Sequence, residues 1–301
     1  MQTPAEQAVI DSSPSFGIGG LVQKFGWHYQ GQTFPIAYET LGQGAPVLLL
    51  PAFSTVSTRA EMRGLAQALA PHFQVLAIDW LGFGQSARPR LDYQRLLYLE
   101  LLQDFVRTVC QPPVTVVAAG HAAGYVMQIA SQNPSVWSKI ALVAPTWRGP
   151  LPTMGAPPSV AAMVRRMVRS PLLGQALYKL NTAPSFLRLM YQRHVYTNPA
   201  QLTPEFMEQK YQITQQSGAR FAPAAFVTGA LDPAQSQADF LTGFQGSTPI
   251  MVVIGENAPP KSQAEMAAAA AMPGVQVQRM PGSLGMHEEF ATEVAAVILP
   301  F

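Results

Sequence analysis

Two short glycine-bearing stretches hold the residue types that could do chemistry. Asp79-Trp80-Leu81-Gly82-Phe83-Gly84-Gln85-Ser86 follows an apolar run, and Gly120-His121-Ala122-Ala123-Gly124 lies between an apolar run and a helical stretch. Glycine at such spacing lets the backbone turn sharply and lets neighbouring segments approach closely. An imidazole can move protons near neutral pH. Of the five histidines, His121 sits inside the second stretch and His287 precedes Glu288 and Glu289. The histidines show no His-x-x-x-His spacing and Cys110 is the only cysteine, so no metal site and no internal disulfide framework is expected.

The elements that must position these residues alternate along the chain. Residues 22–29 and 33–41 read as a hairpin around Gln30-Gly31. Runs at 46–53, 74–80, 114–120, 139–145, 249–256 and 275–280 read as strands, several of them continuously apolar, as in sheets buried on both faces. Helical patterning fills 58–70, 93–109, 122–132, 263–272 and 288–299, and 222–244 also looks helical. Thr58 with Glu61 predicts a capping box at the first helix. This alternation predicts an α/β fold, a mostly parallel central sheet with helices on both faces. The rhythm breaks from Thr146 to about Phe221 in a proline-rich and then helical segment. Residues 146–221 are therefore expected to form a helical cap inserted into a core of 21–145 and 222–301. Residues 1–20 look loosely organised.

The chain of 301 residues is 48% hydrophobic and only 12% charged, which excludes a largely disordered chain. Its net charge of +2 is too balanced for a dedicated nucleic-acid binder. The first residues lack a basic segment followed by an apolar run, and no stretch reaches the ~18 apolar residues of a spanning helix. The expected location is cytoplasmic, with peripheral membrane contact left open.

The two glycine stretches, in this order and at strand ends, resemble the α/β-hydrolase fold over about residues 22–301. The first matches that family's D-x-x-G-x-G-x-S turn. The second stands where the family carries G-x-S-x-G, whose central residue attacks the substrate from a strained strand-to-helix turn. The resemblance puts Ala122 at that position, and a methyl group has no lone pair with which to attack. It puts the triad's acid at Ala258, within Gly255-Glu256-Asn257-Ala258-Pro259. The family's histidine falls on Gly285 when counted from Pro281-Gly282, and on Leu284 when counted back from His287. A third alignment makes His287 itself the catalytic histidine. Otherwise it is a partly exposed residue in a first helical turn. The backbone oxyanion hole would fall on Phe53 and Ala123. Ser54, Thr55 and Ser57 are the hydroxyls nearest the missing nucleophile, although local loop and cap bonding is their simpler role. His121 reads more simply as a packed neighbour of the turn than as a base. Asp79 reads as a partner of its own glycine turn, Asp232 as a helix or turn cap, and Glu256 as a displaced acid.

What the resemblance implies is thus a scaffold without a standard nucleophile–acid–histidine triad: a pseudoenzyme that binds a hydrophobic or amphipathic small molecule or a partner. Phe53, Ser54, His121, Ala122, Ala123 and Trp147, with Met154 nearby, would line its pocket, and no cofactor is expected. The alternative is a hydrolase for an ester or lipid, or a lyase-like enzyme. It would use a relocated nucleophile or His287 together with the backbone oxyanion hole. Between Trp147 and Arg220 stand nine basic and two acidic residues, a net +7, which leaves −5 for the rest of the chain. Arginines alternate there with Met163, Met167, Leu172 and Leu173. A basic amphipathic stretch of this kind suits an anionic membrane surface or an anionic partner; its arginines could also simply roof the pocket in water.

Overall fold

The computed structural model describes residues 16–301. Eight strands form one sheet in the order β1-β2-β4-β3-β5-β6-β7-β8. β1 (Leu21–Tyr29) and β2 (Gln32–Leu41) make an antiparallel hairpin. Its turn residues Gln30 and Gly31 have φ of 48° and 76°, the left-handed pair that a tight hairpin turn of matching twist requires. β2 also lies antiparallel to β4 (Gln74–Ile78). From β4 onward all pairing is parallel, through β3 (Pro46–Leu50), β5 (Val114–Ala119), β6 (Trp137–Val143), β7 (Ile250–Gly255) and β8 (Gln276–Met280). Leu48–Leu50, Val116–Ala119 and Ile140–Val143 are wholly enclosed, which is why these strands read as unbroken apolar runs. The run at 46–53 stops pairing at Leu50; Pro51, which follows, has no N–H to offer a ladder.

Helices follow the strands. They are α1 (Arg63–Leu69), α2 (Arg95–Phe105) and α3 (Ala122–Gln132). Every element between β6 and β7 is helical: α4 (Pro150–Met154), α5 (Pro158–Arg169), α6 (Leu172–Asn181), α7 (Pro184–Met190), α8 (Pro204–Thr214), α9 (Phe221–Val227) and α10 (Gln237–Thr242). α11 (Pro260–Ala270), α12 (Met286–Glu289) and α13 (Ala291–Ile298) complete the chain. The helical stretch expected at 222–244 is therefore two short helices, interrupted around Leu231-Asp232-Pro233.

Two sequence expectations are corrected here. The stretch at 58–70 begins as a 3-10 turn (Arg59–Met62), and no side chain caps it. Thr58 Oγ1 is buried without a hydrogen-bond partner, and the Glu61 carboxylate turns to His287 instead. Of the segment 1–20, the first fifteen residues lie outside the described residues. Ile18, Gly19 and Gly20 are fixed, since their N–H groups donate to the Glu39 carboxylate at 2.6–2.9 Å.

A buried ionic cluster sets the two loops that flank the site. The Arg59 guanidinium pairs with Glu39 and Asp79, all three at most 2% exposed. Asp79 also accepts from the Arg59 and Gln85 N–H groups, both at 2.7 Å. Gly84, at φ 50°, lies so near Asp79 that a Cβ there would overlap the carboxyl group. That close approach is the physical reason for glycine in the turn after β4.

Candidate functional site

β5 delivers the chain to the sharp turn, and α3 carries it away. The residue in the left-handed conformation is Gly120, at φ 51°. His121 already lies in the right-handed helical region, and Ala122 is the first residue of α3, with no exposed surface. The strained position thus falls two residues before Ala122, which corrects the placement drawn from the motif. A residue without any side chain occupies it. A Cβ at Gly120 would stand 3.1 Å from the Ala52 methyl, tighter than ordinary van der Waals contact. The Ala52 methyl crowds the space above the turn.

The backbone donors shift in the same way. Ala123 N–H donates to Gly120 O at 3.2 Å and is spent within the turn, so it is not the free donor that the motif suggested. Among the described residues the N–H groups of Phe53, His121 and Ala122 donate to no acceptor. Phe53 and His121 are neighbours, with ring centroids 5.8 Å apart.

The expected pocket lining is core. Phe53, His121, Ala122 and Ala123 are at most 3% exposed. The Phe53 ring stacks on Trp80 at 4.8 Å and meets Phe83, Tyr98 and Tyr125 edge-on or tilted within 5.6 Å. Between the Gly82–Gly84 turn and the cap residues Ile213 and Ala219 the cavity is about 10 Å³, hardly room for one water molecule. A larger space of about 350 Å³ is an open groove on the α2–α3 side, lined by Arg95, Leu99, Gln128 and Asp239 among others. Trp147 is buried, and its amide donates to Glu265. Met154 is 67% exposed and lines nothing inside.

Hydroxyls near the turn are engaged locally. Ser54 Oγ accepts from Val56 N–H at 3.1 Å, and Ser57 Oγ donates to Ala52 O at 2.5 Å. His121 Nε2 lies 2.9 Å from Leu231 O and 3.6 Å from an Asp232 oxygen, while its Nδ1 is buried without a partner. Burial holds this imidazole down at about 4, so it is neutral at pH 7. Burial pushes the Asp232 carboxyl up to about 7, although Gly149 N–H donates to it. Beside it Arg148 pairs with Glu265 at 2.7 Å.

The last loops do not rebuild a triad at the turn. Ala258 is buried in a backbone turn, and Glu256 points to solvent. Leu284 and Gly285 donate their N–H groups to the carbonyls of His194 and Val195 in the cap, at 3.3 and 2.9 Å. Ser283 Oγ donates to His194 O at 2.8 Å. His287, 3% exposed rather than partly open, is bound non-locally: its Nε2 lies 3.4 Å from Glu61 Oε2. Lys210 from α8 pairs with Glu288 at 2.8 Å and lies 3.9 Å from Glu61. Burial works against the Lys210 charge, but Glu288 and Glu61 together hold its pKa above the usual range. Glu289 accepts from the Thr197 and Asn198 N–H groups at 2.7–2.9 Å. No sequence signal marks Lys210 or Glu288 as partners, since the groups that meet here come from three distant segments. Among the described residues no group of three or more His, Cys, Asp or Glu side chains is arranged to hold a metal ion.

Comparison with known proteins agrees with this architecture. An uncharacterized protein of Mycobacterium tuberculosis is 33% identical over 108 residues, covering 36% of this chain and 31% of its own length. A 2-hydroxy-6-oxo-6-(2'-aminophenyl)hexa-2,4-dienoic acid hydrolase of Metapseudomonas resinovorans is 32% identical over 73 residues, 24% of this chain and 25% of that protein. The matched stretches thus span only about a third or less of these curated relatives. A probable hydrolytic enzyme from Pseudomonas aeruginosa PAO1 superposes with a TM-score of 0.71 over 94% of this chain and 97% of its own, at 17% identity, which speaks to the fold. The sequence profile described as the alpha/beta hydrolase family matches residues 47–297, so the chain belongs to that family.

Proposed function

We propose that this chain is a non-catalytic member of its family, a binding or interaction module that keeps the scaffold and has lost the nucleophile. One observation carries the reading. The strained residue of the turn is Gly120, and the helix after it opens with a buried alanine. Neither offers an electron pair to attack a carbonyl carbon or a proton for a base to remove. The filled interior supports the same view: Phe53 and its aromatic neighbours occupy the room beside the turn. Recognition of a hydrophobic or amphipathic ligand or partner then falls to surfaces rather than to an enclosed pocket.

The test treats the purified chain with a fluorophosphonate probe and with short-chain nitrophenyl esters. The expected result is no stoichiometric labelling and hydrolysis no faster than in buffer without the protein. Stoichiometric labelling would overturn the proposal.

One observation favours the enzymatic alternative. Thr58 Oγ1 and His287 Nδ1 are both buried without partners, on a 3-10 turn and a helix that pack together, and His287 is already oriented by Glu61. A hydroxyl, an imidazole and a carboxylate are the types a relocated nucleophilic apparatus needs. Labelling mapped to Thr58 and abolished by His287→Ala would establish that reading.

A further inference from the structure

The surface that stands out is the outside of the cap. Among the described residues twelve large hydrophobic side chains are exposed, and nine of them fall between Met154 and Leu189. Their spacing is helical: Val160, Met163 and Met167 lie along one stripe of α5, and Leu172 and Leu180 along one stripe of α6. α7 adds Phe186 and Leu189, three residues apart. The opposite sides of these helices hold Ala161, Tyr178 and Leu187, which are buried against the protein. Three consecutive helices thus lie with one side on the fold and an apolar side outward. Exposed apolar groups scattered singly need no account, but a patch on neighbouring helices does.

Charge decides what covers it. No aspartate or glutamate occurs from residue 105 to residue 204. Arg166, Lys179 and Arg193 are exposed beside the apolar stripes, and with the half-buried Arg165 they form no ion pair among the described residues. A second copy of the chain would set one cap of net +7 against another, so self-association through this face is opposed by repulsion. A neutral apolar partner would leave the cations without counter-charge. A planar anionic surface with an apolar interior satisfies both features: leucine and methionine enter the acyl boundary while arginine and lysine stay with the headgroups. No helix among the described residues is long and apolar enough to cross a membrane, so the contact is interfacial.

We propose that the outer face of α5–α7 docks this protein on the surface of an anionic lipid bilayer. This holds whether or not the interior is catalytic, because no residue of the face belongs to the turn after β5.

The experiment is co-sedimentation of the full chain with vesicles of phosphatidylcholine alone and of phosphatidylcholine containing phosphatidylglycerol. Binding to the anionic vesicles is expected at low salt and is expected to weaken at least tenfold at about 0.5 M salt, where the screening length falls to a few ångströms. Arg166→Gln with Lys179→Gln and Arg193→Gln, and separately Leu172→Ser with Leu180→Ser, are each expected to reduce binding at least tenfold. Thermal melting by circular dichroism should show both variants folded like the parent. No binding to anionic vesicles at low salt overturns the proposal, as does equal binding to the neutral ones. A concentration-dependent dimer abolished by Leu172→Ser with Leu180→Ser would assign the face to a second copy and also overturns it.

Discussion

At the turn between β5 and α3 every side chain is enclosed. Gly120, His121 and Ala122 are surrounded by Ala52, Phe53 and Tyr125, and His121 Nε2 is held by the Leu231 carbonyl. Along the outer face of α5–α7 the reverse holds: leucines and methionines stand in solvent, and Arg166 and Lys179 beside them form no ion pair among the described residues. The interior beside the turn is filled by Phe53 and its aromatic neighbours, while the apolar side chains of α5–α7 lie outside. Substitutions should therefore divide sharply, costing stability inside and recognition outside.

The sharpest way to break that division is the buried ionic cluster. Arg59→Ala would leave Glu39 and Asp79 enclosed without their cation, and a loss of about 3–5 kcal/mol in urea unfolding is expected. A loss below 1 kcal/mol would mean that the loops flanking the turn are held by something else.

Next comes the pair His121 and Asp232, whose pH dependences oppose each other. The Asp232 carboxyl is raised from 3.8 to about 7, so its contribution is present in acid and is lost as pH rises through that value. The His121 imidazole is lowered from 6.5 to about 4, so its contribution is present above 6.5 and is lost as pH falls through 4. Between these limits the two slopes cancel. Asp232→Asn still offers an acceptor to Gly149 N–H and removes only the first. Its stability should fall by about 2–3 kcal/mol from pH 6.5 to 4, where the parent stays level. A parent whose urea midpoint moves as steeply as the variant's would contradict this pairing.

Gly120→Ser sharpens the comparison at the turn itself. A left-handed serine facing the Ala52 methyl should cost about 1–2 kcal/mol. If the variant is as stable as the parent, the space above the turn is not filled as described. The smallest effect is expected outside: Leu172→Ser with Leu180→Ser should change unfolding stability by less than about 0.5 kcal/mol, because neither side chain is packed.

Much of the sheet was readable because burial on both faces leaves unbroken apolar runs, as at Leu48–Leu50 and Val116–Ala119. The β1–β2 turn was readable because Gln30-Gly31 permits two left-handed residues in succession. The site was less so. Its motif showed that a sharp turn follows β5 and that no nucleophile is there. It could not show which residue takes the strained conformation, because Gly120 satisfies the turn two positions earlier than the pattern's usual tip. Nor could Glu61 be seen leaving its helix start for His287, 226 residues away. Local rules favour a capping box there. The tertiary partner prevailed because a buried imidazole and a buried ammonium both face that carboxylate.

The loop after β8 and the helix that follows it fasten the helical segment between β6 and β7. Ser283, Leu284 and Gly285 hold the carbonyls of His194 and Val195, and Glu289 grips the amides of Thr197 and Asn198. A roof anchored at this end cannot lift as a whole. Yielding is expected to begin at α5 and α6, whose ties to the core run through Arg169 to Leu91 O and Asp92, with residues 194–198 as the fulcrum. The amides of Thr197 and Gly285 should accordingly exchange with solvent as slowly as those of the central strands, while α5 and α6 let go first.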